Sequence, residues 1–149
     1  MKPTAVFLIF ALILSSCGPQ YQVQWEPYTP EVMEEALKSG RPVLAYFYAA
    51  WCPPCYKLKD HTFSDPRVIE ALEPYRRIKI DMSYKHSPKT EKLSRDYLIR
   101  GLPTMLFFDP SGRPVPNAGI SGFIPADRFL ARIPRYEVTE SVPTEMSPP

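Results

Sequence analysis

Cysteine is scarce: Cys17, Cys52 and Cys55 are the only three in 149 residues. That excludes a small scaffold stapled by several disulfides. An excess of charge is missing too. Eighteen Lys and Arg against sixteen Asp and Glu leave a net charge of +2. The cations are scattered, which excludes a basic stripe for nucleic acid. Only two histidines occur, His61 and His86, with no ligand spacing between them, so a metal site is not expected; no cofactor is expected either. The apolar run Ala5–Leu14 is ten residues long, about half of the ~20 that a membrane-spanning helix needs. No internal repeat is visible. What is present, 44% hydrophobic and 13% aromatic residues, suits one globular domain of ordinary size.

The first residues read as a targeting segment. Lys2 precedes the apolar run, whose length fits a secretory signal. Leu14-Ser15-Ser16-Cys17 follows at once and resembles a bacterial lipobox. The resemblance implies cleavage after residue 16 and lipid on Cys17, with more than one acyl chain for stable anchoring. Ordinary signal cleavage, with Cys17 a bystander, is the alternative. Gly18, in place of aspartate after the cysteine, leaves outer-membrane sorting open. Residues 18–27 are expected to be a tether, 28–133 the domain, and 134–149 a disordered tail rich in Pro, Ser, Thr and Glu.

Within the domain, proline punctuates the helices. Thr29-Pro30, Asp65-Pro66 and Ser87-Pro88 each pair a capping residue with proline at the first helical position. They predict helices carrying Val32, Met33, Ala36 and Leu37, then Val68 to Leu72, then Leu93, Tyr97 and Leu98, with Gly40 placed to end the first. The apolar, aromatic segment from Pro42 to Ala50 suits a central strand buried on both faces. A helix must start near Trp51-Cys52, with Pro53 and Pro54 in its first turn. Arg77–Met82 and Thr104–Phe108 read as strands. Asp109-Pro110-Ser111-Gly112 is a turn signal, so Val115–Ile120 is expected to return antiparallel, and Ala126–Ile133 closes the domain as a helix. Helix and strand alternate through the first half, which predicts an α/β fold with a mixed sheet.

With Cys17 set apart, two cysteines remain, in Trp51-Cys52-Pro53-Pro54-Cys55. A thiolate is the nucleophile in disulfide chemistry. A cysteine at a helix start gains from free N–H groups and the positive end of the macrodipole. Two intervening residues put the second sulfur one turn behind, where it can resolve a mixed disulfide. Cys52 is therefore the candidate attacking thiol, expected to be exposed, and Cys55 the more buried resolving one. A static disulfide would close a short loop with little entropic effect. A zinc site would need His61 and His86 to complete it. Haem attachment is excluded, because Tyr56 rather than histidine follows Cys55. A second signal is Gly101-Leu102-Pro103-Thr104 before an apolar strand, where a cis X–Pro bond would open the preceding backbone to a bound peptide.

Together these motifs resemble the thioredoxin superfamily. Thr62-Phe63-Ser64-Asp65-Pro66 and the stretch from Gly101 to Asp109 are similar to the C-terminal periplasmic domain of DsbD-type thiol:disulfide interchange proteins. The likeness runs over roughly Tyr28 to Ile133, judged by eye. It implies a thioredoxin fold, a central mixed β-sheet flanked by helices. It also implies Cys52 and Cys55 as the redox pair, with Trp51, Pro53, Pro54, Leu102 and Pro103 meeting the client. By the same resemblance the partners are periplasmic proteins with disulfides and a membrane or periplasmic electron donor. The location is the periplasmic side of the cell envelope, and lipid on Cys17 supplies an anchor but no electrons.

Two departures bear on direction. The acidic residue usual six positions before the first cysteine is Tyr46 here, a poor base near neutral pH. Lys57 and Lys59 stand where DsbD-type domains often carry glutamate. Both changes favour the Cys52 thiolate and hence a more oxidising pair. Reduction of client disulfides is the expectation. Oxidation or isomerisation, a role in cytochrome c maturation suggested by Cys-Pro-Pro-Cys, and a non-enzymatic binding module are the alternatives. Of the aromatics around the motif, only Trp51 is expected to touch partners. The stretch from Lys85 to Lys92 is expected to be a solvated face.

Overall fold

A computed structural model describes residues 22–136. Its elements in chain order are β1 (Glu26–Pro27), α1 (Pro30–Leu37), β2 (Val43–Tyr48), α2 (Pro53–His61), α3 (Pro66–Ala71), β3 (Arg76–Asp81), α4 (Pro88–Asp96), β4 (Thr104–Phe108), β5 (Ile120–Ser121) and α5 (Ala126–Arg132). Three helices start as their cap–proline pairs predict. Thr29 Oγ1 accepts from the Val32 amide at 3.2 Å, Asp65 from Arg67 at 2.9 Å and Ser87 from Thr90 at 3.1 Å.

The strands form one sheet in the order β1-β3-β2-β4-β5, parallel through β1, β3 and β2 and antiparallel from β2 to β5. Side-chain alternation along β2 splits the core in two. Leu44 and Tyr46 face a layer with Leu58, Phe63, Val68 and Phe129, contributed by α2, α3, α5 and the α2–α3 connection. Val43, Ala45 and Phe47 face the other layer, with Met33, Ala36 and Leu93 of α1 and α4. β2 is thus the central strand buried on both faces that its composition predicts.

The segment expected to be a tether is in part structural. Val23 is buried, Trp25 packs 5.1 Å from the Tyr46 ring and 5.0 Å from Phe63, and Glu26–Pro27 adds a parallel edge to β3. Arg76, largely buried, holds this edge by pairing with Glu26 and with Glu35 of α1. A strand of two residues has no alternation to read, and its pairing rests on a partner fifty positions away in the chain.

The return strand is shorter than expected. Among the described residues of the return segment, apart from a single bridge between Phe108 and Pro114, only Ile120–Ser121 pairs with β4. Pro114 and Pro116 lack the N–H a ladder needs, and Asn117 at φ 61° turns the chain away. Leu98, expected on the apolar face of α4, instead follows the helix at φ 54° and is 78% exposed. Pro134 to Tyr136, the start of the expected tail, pack on the domain. The Tyr75 hydroxyl donates to the Pro134 carbonyl, and the Tyr136 ring lies edge-on to Tyr75 at 5.7 Å. The remainder of that tail, the signal segment and Cys17 lie outside the described residues.

Candidate active site

The site forms where β2 ends. Ala49 is buried beyond the last strand residue, and the Cys52 amide donates to its carbonyl at 3.2 Å, turning the chain into α2. Cys52 is the N-cap residue of α2, and Pro53 its first helical residue. Cys52 and Cys55 are joined as a disulfide, with Cα atoms 5.3 Å apart. They pack with Ala49, Tyr48 and Leu102 in a small cluster of their own, which Tyr48 joins to one core layer and Leu102 to the other.

Leu102 arrives from the loop that leads into β4. The Leu102–Pro103 bond is cis, as the motif suggests, and Pro103 is buried directly before β4. The Pro103 carbonyl accepts from Gly122 at 2.8 Å, and Thr104 Oγ1 donates to the Gly101 carbonyl at 2.7 Å. These bonds fix the loop from both sides of the proline. The structure therefore brings Cys52, Cys55 and Leu102 into contact, with Pro103 next in chain. Trp51 stands beside them, 47% exposed, whereas Tyr46 and Phe47 are core residues. Pro53 is exposed and Pro54 half-buried on the first turn of α2.

Two expectations about the thiols are corrected. Exposure does not distinguish them in the disulfide form, at 3% for Cys52 and 4% for Cys55, because Ala49 and Leu102 cover the pair from outside the helix. Nor does α2 offer the Cys52 sulfur a full set of free N–H groups. Pro53 and Pro54 have none, and the Cys55 and Tyr56 amides both bond the Cys52 carbonyl, at 3.0 and 3.3 Å. The macrodipole and the lysines of α2 remain.

The tyrosine in place of an acid lies fully inside the core, stacked 5.6 Å from Tyr48. Burial, and secondarily Tyr48, push the Tyr46 hydroxyl well above the ordinary tyrosine range, so it cannot serve as a base near neutrality. Opposite it in the sheet, Lys79 is half-buried with its ammonium 4.1 Å from the Tyr48 ring. Burial and nearby Lys59 hold that ammonium below the usual lysine range.

Residues after β3 contribute what motif reading missed. The Trp51 indole Nε1 donates to the Ser83 carbonyl at 2.8 Å, and Ser83 Oγ accepts from the Ala50 amide at 2.8 Å. Ser83 is itself held by Asp81, whose carboxylate accepts from its amide at 2.8 Å and from its hydroxyl. The Tyr56 hydroxyl donates to the Ala50 carbonyl. Lys85, read as part of a solvated face, has its ammonium 4.0 Å from the Trp51 ring centroid. A signal did exist: parallel strands bring their ends together, and Tyr48 pairs with Asp81, so the residues beyond each must meet. His61 and His86 are both exposed, one on α2 and one before α4. Among the described residues no three His, Cys, Asp or Glu gather as metal ligands would.

Residues 29–137 match the thioredoxin-like domain family. Among curated relatives, the thiol:disulfide interchange protein DsbD of Haemophilus ducreyi is 30% identical across 91% of this chain but only 27% of its own length. The chain thus spans about a quarter of that relative. The DsbD C-terminal domain of Neisseria meningitidis, solved in the oxidised form, is 28% identical. It covers 68% of this chain and 86% of its own, at a TM-score of 0.57. A thioredoxin from Thermus thermophilus is 32% identical over 74% of this chain and 83% of its own, at a TM-score of 0.58. The fold expected from the sequence, a mixed sheet with helices on both faces, is the one these structures share.

Proposed function

This chain belongs to the thioredoxin-like family, and from that premise we propose that it is a thiol:disulfide oxidoreductase of the bacterial cell envelope that reduces disulfides in client proteins. The observation that carries the reading is the Cys52–Cys55 pair at the start of α2, closed against the Leu102–Pro103 loop. In the reduced protein the Cys52 thiolate attacks one sulfur of a client disulfide. A Cys52–client mixed disulfide forms and one client thiolate leaves. Cys55, deprotonated, then attacks Cys52 Sγ, closing the Cys52–Cys55 bond and releasing the second client thiolate. Two electrons pass to the client, and a dithiol donor must return them.

Trp51, Pro53, Pro54, Leu102 and Pro103 are the residues that meet the client on this reading, since three of them adjoin the cysteines in the chain, Leu102 packs against the pair and Pro103 follows it. Signal-like residues 1–16 and lipid on Cys17 would hold the domain at the periplasmic face, within reach of a membrane or periplasmic donor. Lys57 and Lys59 on α2 favour a second direction, oxidation or isomerisation, because cations stabilise the thiolate and with it the reduced pair.

Equilibration with glutathione separates the two. A potential at or below about −230 mV fits a reductase, and one at or above about −180 mV fits an oxidase or isomerase. Cys52→Ser must abolish exchange and Cys55→Ser must accumulate mixed disulfides with clients. Binding partners that survive both changes unaltered would instead make the domain a binding module.

A further inference from the structure

Beside the disulfide a groove of about 270 Å³ runs between the Trp51 turn, the loop after β3 and the Leu102 loop. Its apolar lining includes Met82, Ile99 and Leu102. Two cations stand on it: Lys85, over the Trp51 ring, and Arg100, which is exposed directly before the Gly101–Leu102 turn. Neither is paired with a carboxylate among the described residues. Among the described residues no acidic one lines the groove. Asp81, nearby in sequence, is turned to the Ser83 amide and hydroxyl and lines a different hollow.

We infer that this groove selects clients that carry an acidic side chain close to the reacting cysteine. The inference rests on the reading of the site as a disulfide reductase. A client whose sulfur is bonded to Cys52 lies next to Trp51, the preceding residue, and to Leu102, which packs against the pair, and both line the groove, so its flanking residues enter there. An apolar neighbour fills the floor at Met82 and Ile99. A carboxylate there is attracted by both Lys85 and Arg100, which line the same groove, while a lysine in the same place meets two like charges. Both cations stand at the surface, so the attraction is screened by salt and acts mainly on encounter. One carboxylate between two cations is worth more than a single exposed pair, since their attractions add.

Three disulfide-linked peptides that differ only in Glu, Gln or Lys beside the cysteine test this with the full chain in reduced form. The expected order of the second-order rate constant for reduction is Glu over Gln over Lys, with Glu ahead of Lys by about tenfold at low ionic strength. The ratio should fall towards unity in about 0.5 M salt. In a K85Q/R100Q double variant it should fall below about twofold at low salt as well. A ratio near unity in the wild-type protein, or one unchanged in the double variant, overturns the inference while leaving the reductase reading standing. If none of the three peptides is reduced, the reductase reading fails and the inference falls with it.

Discussion

The indole of Trp51 is tied to the carbonyl of Ser83 at 2.8 Å, although the two residues lie on different loops and are 32 positions apart. Ser83 Oγ meets the amide of Ala50 at the same distance, so one serine holds both residues preceding Cys52. The turn that presents the thiol is thereby fastened to the end of β3 rather than left to its own backbone.

Ser83→Ala removes the bond to the Ala50 amide but keeps the carbonyl that holds Trp51. Water can reach the exposed Ala50 amide, so the stability loss should be small, about 0.5–1.5 kcal/mol. The larger effect should fall on exchange, because a loosened turn positions Cys52 less well. We expect kcat/KM for a disulfide substrate to drop several-fold, with Trp51 fluorescence shifting towards that of a more mobile indole. An unchanged rate would mean that the Trp51 bond alone holds the turn.

Pro54 bears on the reactivity of Cys52. The side chain at an N-cap accepts from the second or third helical amide. Here the second position is Pro54, with no N–H, and the third amide, Cys55, is already bonded to the Cys52 carbonyl at 3.0 Å. Pro54→Ala supplies the missing donor without a residue too large for the site. A hydrogen bond to a charged group is worth roughly 1.5–3 kcal/mol, so the Cys52 pKa should fall by about one unit. Stabilising the thiolate stabilises the reduced pair, and the potential should rise by about 30 mV. Alkylation rate against pH reads the first, and glutathione equilibration the second. A Cys52 pKa that stays put would show that the macrodipole and the α2 lysines already dominate.

Much of this site could be read from the chain because its signals are local. A capping residue followed by proline fixes where a helix begins, whatever surrounds it. Cys-x-x-Cys after an aromatic strand declares its geometry within five residues. The cis bond at Leu102–Pro103 sits in a motif of four. The rest depends on residues distant in sequence. β1 exists because Arg76 reaches back to Glu26, and nothing in Glu26-Pro27 alone announces a strand. Cys52 is buried because Leu102 covers it, a fact of packing rather than of spacing. Ser83 has no motif around it and acquires its role only when β2 and β3 end side by side. The two prolines of the return segment were visible, but the turn signal before them invited a longer hairpin than a chain without those amides can form.

Gly112 gives a test of the fold away from the site. It closes the turn after β4, its amide donating to the Asp109 carbonyl at 2.8 Å, and its φ is +78°. A Cβ there would also run into the carbonyl oxygen of Leu37 at the end of α1. Gly112→Ala therefore combines left-handed strain of about 1–2 kcal/mol with a clash against backbone. The expected loss exceeds about 2 kcal/mol, read as a lower denaturant midpoint at unchanged slope. The reduction potential should not change, because the turn does not touch the redox pair. Gly40→Ala is the control, since its φ of +72° is similar but, among the described residues beyond its chain neighbours, no heavy atom lies within 4 Å of the added carbon. It should cost less than Gly112→Ala by whatever the clash contributes.

Alkaline pH should unfold the protein through its buried tyrosines. Burial raises Tyr46 and Tyr75 well above the ordinary tyrosine value of 10.0. As pH passes about 10, the unfolded chain loses these protons while the folded one keeps them. The unfolded state then binds fewer protons, and stability must fall as pH rises. The contribution is fully present below pH ~10 and is lost above it, at up to about 1.4 kcal/mol per pH unit for each tyrosine. Denaturant titrations from pH 8 to 12 should show a plateau and then this descent. Tyr46→Phe should make the descent shallower by one proton's share. Tyr75→Phe should do the same but also lower the plateau by about 1 kcal/mol, since the Tyr75 hydroxyl donates to the Pro134 carbonyl. A descent equally steep in both variants would place the alkaline sensitivity in other groups and remove Tyr46 from the account.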